Sequence, residues 1–194
     1  MLKKIPNILT IGRIIIVPFF VLAFYLPGFY GDLTAFALFV IASFSDFLDG
    51  MLARMLGQES KLGELLDPIA DKIIVATALI LLVMSGTIRH YEVIAAIIIL
   101  TREILISGLR EFLAKGQIKL TVSNLAKLKT FLQMFAISLL LTGETGNKIL
   151  NFQDYNAQTI GIILLWLSAF LTLYTGYEYL RKGIDHAISE DSKN

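Results

Sequence analysis

The sequence predicts an all-α integral membrane protein: six transmembrane helices, a short interfacial helix at the amino end, and both termini in the cytosol. Three observations carry that expectation. Hydrophobic residues make up 56% of the chain and charged residues only 17%, whereas a soluble domain holds roughly 45–50% and about a quarter. The apolar residues arrive in long runs, not in stripes of period 2 or 3.6. Lysine and arginine gather in alternate breaks between those runs. A spanning helix takes about 20 apolar residues, so six of them use roughly 120. Nothing is left for a separate soluble domain, and residues 1–194 read as one membrane domain.

The first run, at about 8–27, follows Met1-Leu2-Lys3-Lys4, a start that imitates a signal peptide. Pro6, Arg13 and Pro18 interrupt it and no small-x-small cleavage site closes it, so it reads as a retained helix. Residues 6–13 are expected to lie along the interface before the chain dives, with Arg13 snorkelling towards the headgroups. A Pro27-Gly28 break precedes the second run at 33–52, and the turn-rich stretch 57–63 precedes the third at 68–84. Ser85-Gly86-Thr87 leads to the fourth at 92–113, stretch 116–123 to the fifth at 125–142, and stretch 143–156 to the sixth at 159–180. With a cytosolic amino terminus, that side receives Lys3, Lys4, Arg54, Lys61, Lys115, Lys119, Arg181, Lys182 and Lys193. The opposite loops hold Arg89 and Lys148, a bias that orients the bundle by the positive-inside rule.

The net charge of +1 excludes little, and no nucleic-acid partner is expected. The absence of cysteine excludes a disulfide framework, a thiolate nucleophile and a cysteine-ligated zinc site. Trp166, Tyr174, Tyr177 and Tyr179 fit packing or an interfacial belt.

The unusual feature is acid in or beside apolar helices: Asp46, Asp49, Glu64, Asp67 and Asp71. Asp46, Asp49, Gly50 and Ala53 share one helix face, and Asp67 and Asp71 stand one turn apart on the next helix. The short intervening loop makes the two helices an antiparallel pair, so the acidic pairs lie near one membrane boundary and are able to face each other. An aspartate at the centre of a span costs about 2.5–3.5 kcal/mol. Two carboxylates about 5 Å apart repel by about 3 kcal/mol at an effective dielectric near 20. Such a cluster needs a positive partner, or water, or protonation of some of its members. All-oxygen donors suit Mg²⁺, Mn²⁺ or Ca²⁺, and His90 and His186 fall outside the cluster. Gly50 and Ala53 leave space for a ligand near the backbone, or else serve close helix packing. Glu64 reads as a solvated interfacial residue.

The segment Asp46-x-x-Asp49-Gly50-x-x-Ala53-Arg54-x8-Gly63-x3-Asp67-x3-Asp71 resembles the signature of the CDP-alcohol phosphatidyltransferase family at every fixed position. Chance would produce it with odds on the order of 10⁻⁸, which makes the match specific. The resemblance implies a six-helix fold, a homodimer, and a polar cavity open to the cytosol in the bacterial inner membrane. It implies that Asp46, Asp49, Asp67 and Asp71 hold one or two divalent ions, Mg²⁺ or Mn²⁺. Asp71 is further implied as the base for the acceptor hydroxyl, and Gly50, Ala53, Arg54 and Gly63 as the surroundings of the CDP end of CDP-diacylglycerol.

Three further stretches narrow the family. Ile5-Pro6-Asn7-Ile8-Leu9-Thr10-x-x-Arg13, Arg102-Glu103-Ile104-x-Ile106-Ser107-x-x-Arg110-Glu111 and Val122-Ser123-x-x-Ala126-Lys127-x-Lys129-Thr130-x-x-Gln133 resemble the branch whose acceptor is sn-glycerol 3-phosphate. That branch usually has glycine where this chain has Ala126. The resemblance implies that the products are phosphatidylglycerophosphate and CMP. Cations inside apolar helices are costly unless a ligand or partner uses them, so Arg102, Arg110, Lys127 and Lys129 are the expected acceptor-phosphate residues. The bland alternative makes them interfacial cations or partners of Glu103 and Glu111. Thr10 and Arg13 are weaker candidates for the donor headgroup. Rival functions are the same chemistry on phosphatidylglycerol, inositol phosphate or serine, and, from another class, a divalent-cation carrier.

Overall fold

The computed structural model describes residues 5–56, 61–115, 124–150 and 156–191. Within them the chain forms α1 (Ile5–Ala23), α2 (Gly28–Leu56), α3 (Lys61–Met84), α4 (Glu92–Lys115), α5 (Asn124–Leu150) and α6 (Ala157–Asp191), with no strand among the described residues. Three of these hold a stretch long and apolar enough to cross a membrane: residues Gly28–Ser45, Asn124–Gly143 and Ala157–Arg181. A shorter apolar stretch, Leu9–Ala23, lies in α1.

Burial shows which solvent the bundle is built for. Phe19, Ile80, Ile97, Phe131, Ile163 and Phe170 are all exposed on its outside. Thr10, Arg13, Lys129, Gln133, Thr172 and Thr175 are enclosed within it. An apolar exterior of this extent on a monomer in water is an aggregation surface, whereas lipid accepts it and penalises exposed polar groups. The distribution is that of a membrane protein. An apolar cluster of Phe20, Phe39, Ile74, Leu79, Ile99, Ile137 and Leu165 joins five of the helices and α4 through Ile99.

The packing order places α1 centrally on one side, against both α2 and α3, while α6 packs along α5 and α4. α2 and α3 touch, but α3 makes its broader contact with α1. Residues 6–13, expected as a separate interfacial helix, run unbroken into α1. Pro6 in the first turn loses no hydrogen bond there, and Pro18 lies inside the helix without ending it. Arg13 does not snorkel outwards; it is fully enclosed by protein.

Of the break expected over residues 143–156, positions 144–150 are helical and positions 151–155 lie outside the described residues. Gly143 takes φ 54°, ψ −141°, and helix then resumes to Leu150. The Thr145 hydroxyl donates to Asp32 Oδ2 of α2 at 2.9 Å. A β-carbon at position 143 would lie 3.1 Å from that same oxygen, so glycine serves both the positive φ and the close approach. At the start of α6, Asn156 Oδ1 accepts the Gln158 N–H at 3.0 Å, a helix cap.

Candidate active site

Asp67 and Asp71 lie one turn apart on α3, as their spacing requires. Asp67 Oδ1 accepts the hydroxyl of Thr10 at 2.5 Å. Thr10 and Arg13 share a face of α1, three residues apart, and both are buried where α1 meets α3. Thr10 therefore acts on an acidic side chain of α3. Asp71 lines a small cavity of about 70 Å³ with Lys72, Glu103, Thr130 and Gln133, drawn from α3, α4 and α5. Gln133 is buried there, and its Oε1 has no hydrogen-bond partner.

A larger cleft of about 690 Å³ opens between α3 and α4, lined by Lys72, Arg102, Glu103, Ser107, Arg110 and Glu111 among others. Lys72 and Glu103 line both spaces. The cavity beside Asp71 and the cleft beside the arginines of α4 thus share two charged lining residues. Glu103 is the junction between them. Its Oε1 accepts from Lys129 Nζ of α5 and stands 3.7 Å from Arg102 Nη1. Arg102 Nη2 donates to Thr175 Oγ1 at 3.1 Å, and Arg110 Nη2 to the Tyr179 hydroxyl at 3.2 Å, both acceptors being on α6.

The structure therefore brings Arg102, Arg110 and, behind Glu103, Lys129 to one region. Lys127 is exposed and lines neither space. Residues two apart on a helix point about 200° away from each other, so Lys127 and Lys129 occupy opposite faces of α5. Gly63 is buried on α3. The side chains of Asp46, Asp49, Gly50, Ala53, Arg54 and Glu64 lie outside the described residues, although their backbones belong to α2 and α3. Among the described residues no group of three or more His, Cys, Asp and Glu stands ready to hold an ion. Asp67 and Asp71 alone still offer the donor chemistry a hard cation needs. The Thr10 hydroxyl uses one oxygen of Asp67, and the other keeps its lone pairs.

Sequence reasoning gave no site role to Lys72, Gln133, Thr175 and Tyr179, although Gln133 stood as a fixed position of the third resembling stretch and Tyr179 was read as packing or belt. Lys72 had a usable signal, a lone cation in an apolar run beside Asp71. Thr175 and Tyr179 had none, because nothing in α6 announces that two arginines of another helix lie against it.

Helices with an apolar exterior that enclose a cleft with acids on α3 and arginines on α4 mark a membrane protein with a charged internal cleft. The model of the CDP-alcohol phosphatidyltransferase family matches residues 3–174. The chain belongs to that family. It is 44% identical over 179 residues to a protein of Rickettsia prowazekii, covering 92% of this chain and 94% of that one. A Haemophilus influenzae protein is 40% identical, with 92% of each chain covered. One from Cereibacter sphaeroides is 36% identical over 96% of this chain and 98% of its own length. All three carry the name CDP-diacylglycerol–glycerol-3-phosphate 3-phosphatidyltransferase.

Proposed function

We propose that this protein transfers the phosphatidyl group of CDP-diacylglycerol to sn-glycerol 3-phosphate, giving phosphatidylglycerophosphate and CMP. The observation that carries the reading is the near full-length similarity to transferases of that name. The arginine-lined cleft adjoining Asp71 supports it independently.

Asp46, Asp49, Asp67 and Asp71 would hold one or two Mg²⁺ or Mn²⁺ ions, which supply positive charge to the pyrophosphate of the donor and to CMP as it leaves. Thr10 fixes the carboxylate plane of Asp67 through its hydroxyl. Gly50, Ala53, Arg54 and Gly63 surround the cytidine end. Arg102 and Arg110 bind the phosphate of the acceptor, with Lys129 held behind them by Glu103. Lys127 adds positive charge at the exposed rim of α5. The acceptor hydroxyl then reaches the phosphorus that carries diacylglycerol, and its proton passes to a carboxylate oxygen of Asp71. The new P–O bond forms as the bond to CMP breaks. The same reading includes six spans, cytosolic termini, a homodimer, and a site open to the cytosol in the bacterial inner membrane.

The test is CMP release by the purified protein in nanodiscs, with CDP-diacylglycerol and a panel of alcohols, with and without chelator. CMP should appear with glycerol 3-phosphate, disappear on metal removal, and stay at background with serine, inositol phosphate or phosphatidylglycerol. Release that is indifferent to chelator, or that prefers another alcohol, overturns the proposal.

A further inference from the structure

Arg102 and Arg110 are two turns apart on α4, yet both converge on one side chain of α6. The guanidinium carbon of Arg110 lies 5.0 Å from the centre of the Tyr179 ring, and that of Arg102 lies 5.9 Å from the same centre. Tyr179 is only 5% exposed, so it does not belong to an interfacial belt, whereas Tyr174 and Tyr177 are exposed. Its hydroxyl accepts from Arg110 Nη2 at 3.2 Å. One turn earlier the Thr175 hydroxyl donates its hydrogen to Leu171 O at 2.8 Å, which leaves its lone pairs to accept from Arg102 Nη2 at 3.1 Å. Between them, a β-carbon at Gly176 would sit 3.2 Å from Arg102 Cγ and 3.4 Å from its Nε. Glycine lets the Arg102 stem lie directly on the α6 backbone. Thr175, Gly176 and Tyr179 together form a cradle under both arginines.

Two guanidinium groups held against one aromatic ring repel each other. The ring quadrupole offsets part of that repulsion, and an anion bound between them offsets far more. Each guanidinium has five N–H donors. Arg102 Nε is buried against α6 and its Nη1 faces Glu103, whereas the bond to Tyr179 uses one donor of Arg110, and both side chains line the cleft. We infer that Tyr179 is a positioning residue for the acceptor phosphate, holding the Arg102 and Arg110 guanidinium groups at the cleft through its ring face and its hydroxyl. This inference rests on the acceptor-site reading above and extends it to a helix outside the family signature.

The experiment measures kcat and both KM values of the full chain in nanodiscs for Tyr179→Phe, Tyr179→Leu, Arg110→Ala and the double variant Arg110→Ala/Tyr179→Phe. Tyr179→Phe removes the hydrogen bond and keeps the ring, and should raise the KM for glycerol 3-phosphate about fivefold. Tyr179→Leu removes both and should raise it about twentyfold. The KM for CDP-diacylglycerol should stay within about twofold in each case, since that substrate does not use the arginines. In the double variant the Phe substitution should add almost nothing to Arg110→Ala, because it acts through that residue. If Arg110→Ala itself leaves the acceptor KM unchanged, the acceptor-site reading fails. If Arg110→Ala raises it and the Tyr179 variants do not, the positioning role alone fails. Additive effects in the double variant, or a loss of kcat with both KM values moving together, likewise overturn the role. Should Tyr179→Leu not fold, the Phe variant and the cycle decide.

Discussion

Replacing Asp71 with asparagine is expected to reduce kcat by at least about a thousandfold, the combined loss of the proposed general base and of a proposed negatively charged metal ligand. Asparagine keeps the shape and one acceptor oxygen, so the cavity that Asp71 shares with Glu103 and Gln133 should persist. The informative companion is thermal stability. Neighbouring carboxylates about 5 Å apart repel by about 3 kcal/mol at an effective dielectric near 20, and removing one relieves that repulsion in the metal-free protein. The variant should therefore melt no lower than the parent in chelator while turning over almost nothing, the trade expected of a site whose geometry serves function over stability. An Asp71 whose role were a structural ion pair, for instance with nearby Lys129, would show the opposite pattern: a lower Tm and substantial residual turnover.

The second large effect is at Arg110. Its guanidinium lines the cleft and is held from behind by Tyr179, so alanine removes a charged donor without opening the apolar core. A hydrogen bond to a charged group contributes about 1.5–3 kcal/mol, which corresponds to a rise of about 10- to 150-fold in the KM for glycerol 3-phosphate. Arg110→Lys should recover only part of this, since an ammonium cannot present the planar pair of donors that matches two phosphate oxygens. The KM for CDP-diacylglycerol should move by no more than about twofold. Steady-state kinetics with each substrate varied in turn checks both statements, and an unchanged acceptor KM removes Arg110 from the phosphate site.

Much of this was legible in the residues themselves. The apolar runs place all the described helices, since a bilayer-length stretch without strong periodicity has few other uses. The boundaries were less legible. Helix α5 continues past Gly143 because Asp32, far away in sequence, receives the Thr145 hydroxyl, and no local pattern reports a distant acceptor. The acidic motif drew attention through its cost in lipid, and the side chains of its first half, Asp46 and Asp49, lie outside the described residues. Two of the expected acceptor residues were separable in principle, because Lys127 and Lys129 cannot point the same way on one helix. Composition made Arg13 a snorkelling residue, but its depth inside the bundle depends on how α1 is packed against α2 and α3. The Tyr179 cradle was invisible for the same reason. A tyrosine near the end of an apolar helix looks interfacial until its neighbours on α4 are known.

We propose that carboxylates from two helices, α2 and α3, act as a single ion site. Titration of Mn²⁺ into the purified protein, followed by electron paramagnetic resonance, tests it most directly. Bound Mn²⁺ should be seen in the parent and be lost both in Asp49→Asn and in Asp67→Asn, one substitution on each helix. Parent-like Mn²⁺ binding by either variant would contradict the claim.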